Sequence, residues 1–168
     1  MKLFNKLLVV LLLIASSCSD SKKQESKSIS PFQAEIEKVK LTSLKGMPID
    51  MKQYNGKAVF INFWATWCKP CIEEMPTIKK AMDHFKDEKI EFLFASDEST
   101  EEIQAFETEH RYGFNYTKAG NMEDLNIIGL PTTFIFDKDG KQVFSEMGYR
   151  KWDDKPNIDL LLKIAKSE

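Results

Sequence analysis

Cysteine is scarce in this chain: Cys18, Cys68 and Cys71 are the only three in 168 residues. That count excludes a small fold stapled by several disulfides, because such folds join many distant segments. Histidine is scarcer still, with His84 and His110 alone. A structural zinc site takes four ligands, usually from two closely spaced pairs, and only one pair is present. Covalent haem attachment needs a His directly after the second Cys, where Ile72 stands. Neither zinc nor covalently attached haem is therefore expected. A long apolar run is also missing. Leu7 to Ala15 is nine residues, whereas a helix crossing a bilayer needs ~20. Charge of one sign is not concentrated anywhere: 24 basic residues face 26 acidic ones, interspersed. Without a basic stripe, no nucleic-acid partner is expected. No internal repeat is visible, and the length suits one domain.

What is present begins with a charged, then apolar, then small-residue order. Lys2 and Lys6 precede the apolar run, and Ala15, Ser16 and Ser17 follow it. That is the order of a secretory signal; an uncleaved membrane anchor is the competing reading. Cys18 after the small residues resembles a bacterial lipoprotein cleavage site. Residues 1–17 are accordingly expected to be a lipoprotein-type signal peptide, with Cys18 the lipidated first residue of the mature chain. Ala15 departs from the larger aliphatic usual three positions before that Cys, so a plain secretory signal stays open. Residues 18–33 are Ser- and Lys-rich and are expected to form a tether of roughly 20 Å by random-coil scaling. The expected location is the cell envelope outside the cytoplasm, on the periplasmic side if there are two membranes, held to a membrane by lipid.

Residues 34–168 are expected to be the folded domain. Ala34 to Leu44 alternates roughly and predicts a strand or strand pair. Ala58 to Phe63 is a continuous apolar run that suits a strand covered on both faces. From Cys71 to Phe85, Ile72, Met75, Ile78, Met82 and Phe85 recur at helical spacing, with Pro76 expected to kink the helix. Lys89–Ser96 predicts a second buried strand, Ser99–Glu102 a helix start, and Phe114–Lys118 a short strand. Met122–Asn126 reads as a helical turn. Thr132–Phe136 and Lys141–Glu146 flank Asp137-Lys138-Asp139-Gly140, a hairpin signal, and Asp159–Lys166 predicts a closing helix. The order implies an α/β fold, a mixed sheet with helices on both faces.

The remaining cysteine pair carries the chemistry. Cys68-Lys69-Pro70-Cys71 lies between a strand and a helix. A disulfide across two intervening residues restrains almost no chain entropy, so its use must be chemical. A thiol at a helix start gains from unsatisfied N–H groups and from the dipole, and Lys69 adds a positive charge; all favour the reactive thiolate. Cys68 at the tip is expected to be the nucleophile and Cys71, further in, to be shielded and act second. Pro70 fits the first turn, where its missing N–H costs nothing. Among other readings, a non-catalytic module chelating a soft metal such as Cu(I) stays open, although no Met or His stands at a spacing that completes its ligand set.

Phe63-Trp64-Ala65-Thr66-Trp67-Cys68-Lys69-Pro70-Cys71 closely resembles the active site of thioredoxins. With Glu73-Glu74-Met75-Pro76 and Gly129-Leu130-Pro131-Thr132-Thr133-Phe134, it is similar to the membrane-associated thioredoxin-like branch typified by TlpA and ResA, from about Val39 to the C-terminus. The resemblance implies a thioredoxin-like fold and a redox-active Cys68–Cys71 disulfide. It implies that Pro131 is the cis-proline beside the dithiol, that Leu130 offers backbone groups to a partner, and that Trp67 forms an apolar rim. Trp64 is expected to pack beneath. The buried Asp that cytoplasmic thioredoxins carry six residues before the first Cys is here Asn62, which cannot titrate. The branch instead places a Glu three residues after the second Cys, and Glu74 holds that position. Three residues along a helix also returns to the face of Cys71, while Glu73 points away. Glu74 is expected to be partly buried, with a raised pKa, and to exchange a proton with Cys71; a solvated first-turn acid is the plain alternative. The implied function is reduction of disulfides in oxidised exported proteins, apocytochrome c among them, with a membrane-bound thiol reductant restoring the dithiol. A thiol oxidase of the same fold is the alternative, since relatives span about −270 to −120 mV.

Overall fold

The structure, a computed structural model, describes residues 33–166. Cys18, with the expected signal and tether, lies outside the described residues. Ten elements follow in order: α1 (Gln33–Ile36), β1 (Leu41–Ser43), β2 (Ala58–Phe63), α2 (Lys69–Met82), β3 (Ile90–Ser96), α3 (Thr100–His110), β4 (Asn115–Ala119), β5 (Thr132–Phe136), β6 (Gln142–Met147) and α4 (Lys155–Ala165). Single 3-10 turns sit at Met51–Tyr54 and Asp83–Phe85. The strands form one sheet in the order β1-β4-β3-β2-β5-β6. β2, β3 and β4 run parallel, and β1, β5 and β6 pair antiparallel to their neighbours. This is the expected mixed sheet.

Strand β2 is central, and each of its six side chains is buried. Its period of two divides the core. Ala58 and Phe60 face a cluster with Met75 and Ile78 of α2, Ile103 of α3, Leu161 of α4, and Trp152 from the stretch before α4. Val59, Ile61 and Phe63 face the opposite cluster with Ile36, Val39, Met51, Phe134 and Phe136. Both faces therefore carry helical cover, unequally. The three long helices share one face: the crossovers β2–α2–β3 and β3–α3–β4 advance in the same direction with the same hand, which puts α2 and α3 together, and α4 packs beside them. The other face is closed by α1, the 3-10 turn and the segment holding Met122, Leu125 and Ile127. Burying one large apolar side chain contributes roughly 1.5–3 kcal/mol, so this double cover makes β2 a rigid platform for whatever follows it.

The strand expected from Ala34 is corrected: α1 and a turn come first, and only Leu41–Ser43 is strand. Ile36 and Val39 are spaced by one helical turn, and Val39 N–H donates to the Ile36 carbonyl at 3.1 Å. The last helix begins at Lys155, four residues before the expected Asp159, because Asp154 caps it and Pro156 occupies its first turn. α2 continues through Pro76 to Met82.

Candidate active site

At the end of β2, Trp64 N–H donates to the Ala95 carbonyl at 3.0 Å, which carries the chain past the end of β3. Trp64 is fully buried beneath the loop, as expected, against Phe106 and Tyr116. The loop is fastened at Thr66. Its N–H and hydroxyl both donate to the Glu98 carboxylate, at 2.7 and 2.6 Å. Glu98 also accepts from Ser96 Oγ at 3.0 Å, and Lys118 Nζ donates to the Glu98 carbonyl at 2.8 Å. Cys68 then caps α2, its Sγ accepting the Cys71 N–H at 3.3 Å. Cys68 and Cys71 are joined by a disulfide, S–S 2.00 Å, with Cα atoms 5.3 Å apart.

The sulfur at Cys68 thus already faces a helix-terminal donor, the contact that would hold a thiolate once the bond is reduced. Two details differ from expectation. Cys68 is 3% exposed, nearly as shielded as Cys71, because it packs into the same apolar cluster as Trp64 and Met75. The Lys69 ammonium is exposed and lies 3.8 Å from Glu73, so solvent and that carboxylate screen the charge expected to act on Cys68. Trp67 is 73% exposed beside the dithiol, which suits a contact rim.

The Leu130–Pro131 bond is cis. β5 pairs with β2 so that Thr132 lies opposite Phe63, which brings Pro131 to the sheet end where the dithiol loop departs. Gly148 N–H donates to the Pro131 carbonyl at 2.7 Å, and Thr132 Oγ1 to the Gly129 carbonyl at 2.7 Å. These bonds fix the segment on either side of Leu130, which packs against both core clusters.

Glu74 is 1% exposed, inside the sheet–helix core one turn after Cys71. Its Oε1 accepts from Trp152 Nε1 at 2.5 Å and from Asn62 Nδ2 at 3.3 Å; its Oε2 accepts from Arg150 N–H at 3.3 Å. Burial lifts the carboxyl from 4.5 to about 7, against the hydrogen bonds from Trp152 and Arg150, which favour the charged form. An acid near 7 exchanges protons readily in neutral solution. Asn62, also buried, donates in addition to Thr133 Oγ1 at 3.1 Å.

This constellation sits within a chain whose residues 32–144 match the model of the AhpC/TSA family. The chain belongs to this thioredoxin-like AhpC/TSA family. Among curated relatives, the thiol-disulfide oxidoreductase ResA of Bacillus anthracis is 38% identical over 114 residues, 64% of this chain and 65% of that protein. ResA of Bacillus thuringiensis subsp. konkukian is 36% identical over 107 residues, covering 61% and 62%. The chain thus spans under two thirds of the length of these curated relatives. A thiol:disulfide interchange protein from Bacteroides sp. superposes with a TM-score of 0.64 at 24% identity, over 77% of this chain and 86% of that one. StoA from Bacillus subtilis superposes at 0.56 and 18% identity, over 67% and 88%. These two structures share the fold.

In this AhpC/TSA chain the structure brings Cys68, Cys71 and Glu74 onto one helix, with Pro131 and Leu130 at the same end of the sheet. Glu98, Arg150 and Trp152 were not anticipated as site residues. Glu98 follows the carboxyl end of a parallel strand, where open α/β sheets place their sites, and that signal was available. For Trp152, a buried indole N–H needs an acceptor, yet the sequence does not say which. Arg150 gave no signal.

Proposed function

We propose that the chain is a thiol–disulfide oxidoreductase working through Cys68 and Cys71. The observation that carries this reading is a disulfide closing one helical turn at the capped start of α2, with a buried carboxylate one turn further on. The curated relatives carry that activity in their names.

In the reduced protein, Cys68 thiolate attacks one sulfur of a partner disulfide. The old S–S bond breaks, its second sulfur leaves as a thiolate, and a mixed disulfide with Cys68 forms. Glu74 carboxylate takes the Cys71 proton. Cys71 then attacks Cys68 Sγ, and the Cys68–Cys71 bond replaces the mixed one. Two electrons have passed from the dithiol to the partner, which leaves as a dithiol. The electrons reside in the two sulfurs throughout, so the exchange uses no further cofactor. Trp67, Leu130 and Pro131 receive the partner chain beside the sulfurs.

The partners in this reading are oxidised exported proteins such as apocytochrome c, and a membrane-bound thiol reductant restores the dithiol. Lipid at Cys18 keeps the domain at the membrane, outside the cytoplasm. Equilibration with glutathione buffers measures the potential that fixes direction. A value near −270 mV supports a reductase; one near −120 mV reverses the direction to thiol oxidation.

A further inference from the structure

Among the described residues, no cation contacts the buried Glu74 carboxylate. Its three donors are neutral dipoles, and such dipoles support a charge only while they stay aimed. Two of the three, Arg150 N–H and the Trp152 indole, come from the short stretch between β6 and α4. The Arg150 side chain points elsewhere. Its Nε donates to Asn157 Oδ1 at 2.6 Å, its Nη1 pairs with Glu146, and its guanidinium lies 5.1 and 5.5 Å from the Phe144 and Trp152 ring centres. Asn157 is 5% exposed, and its Nδ2 donates back to the Lys151 carbonyl at 2.8 Å. The Arg150 side chain is therefore tied, through Asn157, to the main chain between the two donors. The other side is registered to α2: Trp152 N–H donates to Thr77 Oγ1 at 3.1 Å, and that hydroxyl donates to the Glu74 carbonyl at 2.8 Å.

We propose that Arg150 is a positioning residue for Glu74: its planar fork braces the 150–152 main chain so that both donors stay on the carboxylate. The inference rests on the reading of Glu74 as the proton acceptor for Cys71. A half-exposed ion pair with Glu146 alone would contribute roughly 0–1 kcal/mol and would not need two aromatic faces and a buried amide. The charged groups around the carboxylate are Glu146 of β6, which disfavours its ionisation, and Arg150, which favours it. Asn62 of β2, Thr133 of β5, Thr77 and Cys71 of α2 and Asn157 of α4 are neutral there.

The test is a carboxyl carbon-13 NMR titration of Glu74 in the full oxidised chain, assigned with Glu74→Gln, for wild type, Arg150→Gln, Arg150→Lys, Trp152→Phe and Asn157→Ala. Arg150→Gln should raise the midpoint by about one pH unit, a tenfold loss of ionised form in the titration range. Arg150→Lys keeps the charge and the stem but not the fork, and should show more than half that rise. Asn157→Ala leaves the arginine charge untouched and should also raise the midpoint, which keeps the test decisive if Arg150→Gln folds poorly. Trp152→Phe should shift less in the Arg150→Gln background than alone. A wild-type midpoint in Arg150→Lys and Asn157→Ala, with an Arg150→Gln shift abolished by 1 M salt, would show a mere charge effect and overturn the proposal. Turnover of a model disulfide on the same samples separates the two claims: its absence in wild type sinks the oxidoreductase reading, whereas the midpoints judge the brace directly.

Discussion

Replacing Glu74 with Gln should remove a pH dependence of stability that the wild-type fold carries in the oxidised state. The carboxyl titrates at about 7 when folded against 4.5 ordinarily. Between those values the folded state holds a proton that the unfolded state has released. Stability is therefore complete below pH 4.5, falls as pH rises, and levels off above 7. About 2.5 pH units at 1.36 kcal/mol each gives a loss of about 3 kcal/mol. Gln cannot titrate, so this slope disappears. Its amide keeps one acceptor oxygen for Trp152 and Asn62 but turns a donor toward the Arg150 N–H, which costs about 1–3 kcal/mol at every pH. The variant should thus be clearly weaker than wild type at pH 4.5 and near it at pH 8. Urea unfolding of both oxidised proteins from pH 4.5 to 8.5 reads the difference, and His84 and His110 cancel because both proteins contain them. Parallel stability curves across that range would refute the burial argument.

Reduction of a model disulfide should accelerate as pH rises through about 7, where the Glu74 carboxylate becomes available as the Cys71 base; in Glu74→Gln that limb should flatten, as stopped-flow turnover against pH would record. Glu98→Gln turns a charge-assisted double contact to Thr66 into a neutral one that must mismatch one donor, and thermal or urea unfolding should show a cost of about 1–3 kcal/mol. Because Glu98 fastens the loop that presents Cys68, the same variant should slow exchange at unchanged disulfide content. Ser99→Ala removes the side-chain half of the capping box that opens α3; unfolding should show a loss of about 1 kcal/mol with turnover unaffected.

Local signals reached the structure where the cause is local. The apolar run of Ala58–Phe63 is the central strand, and the dithiol followed by helical spacing opens α2. The hairpin around Asp137–Gly140 joins β5 and β6. Ile36 and Val39 fit both a strand and a helical turn, and packing on the second face of the sheet, not the local pattern, selects the turn, while Leu41 opens β1. The apolar spacing of α4 shows only from Asp159 because its first turn is polar, and only the Asp154 cap and Pro156 announce the earlier start. Glu74 was legible because helix geometry relates it to Cys71. Its donors were not, because Arg150 and Trp152 lie 76 and 78 residues away and reach it only through the folded sheet. The burial of Cys68 was likewise invisible, since it depends on the cluster around Trp64 and Met75.

Trapping of the half-reaction tests the exchange mechanism most directly. Reduced Cys71→Ser and Cys68→Ser proteins, each carrying Cys18→Ser as well so that one thiol remains, would be mixed with a model disulfide and the adducts counted by intact mass. The account predicts a stable mixed disulfide on Cys68 in Cys71→Ser, and far slower capture by Cys71 in Cys68→Ser. Equal capture by both single cysteines, or none by Cys68, would contradict it.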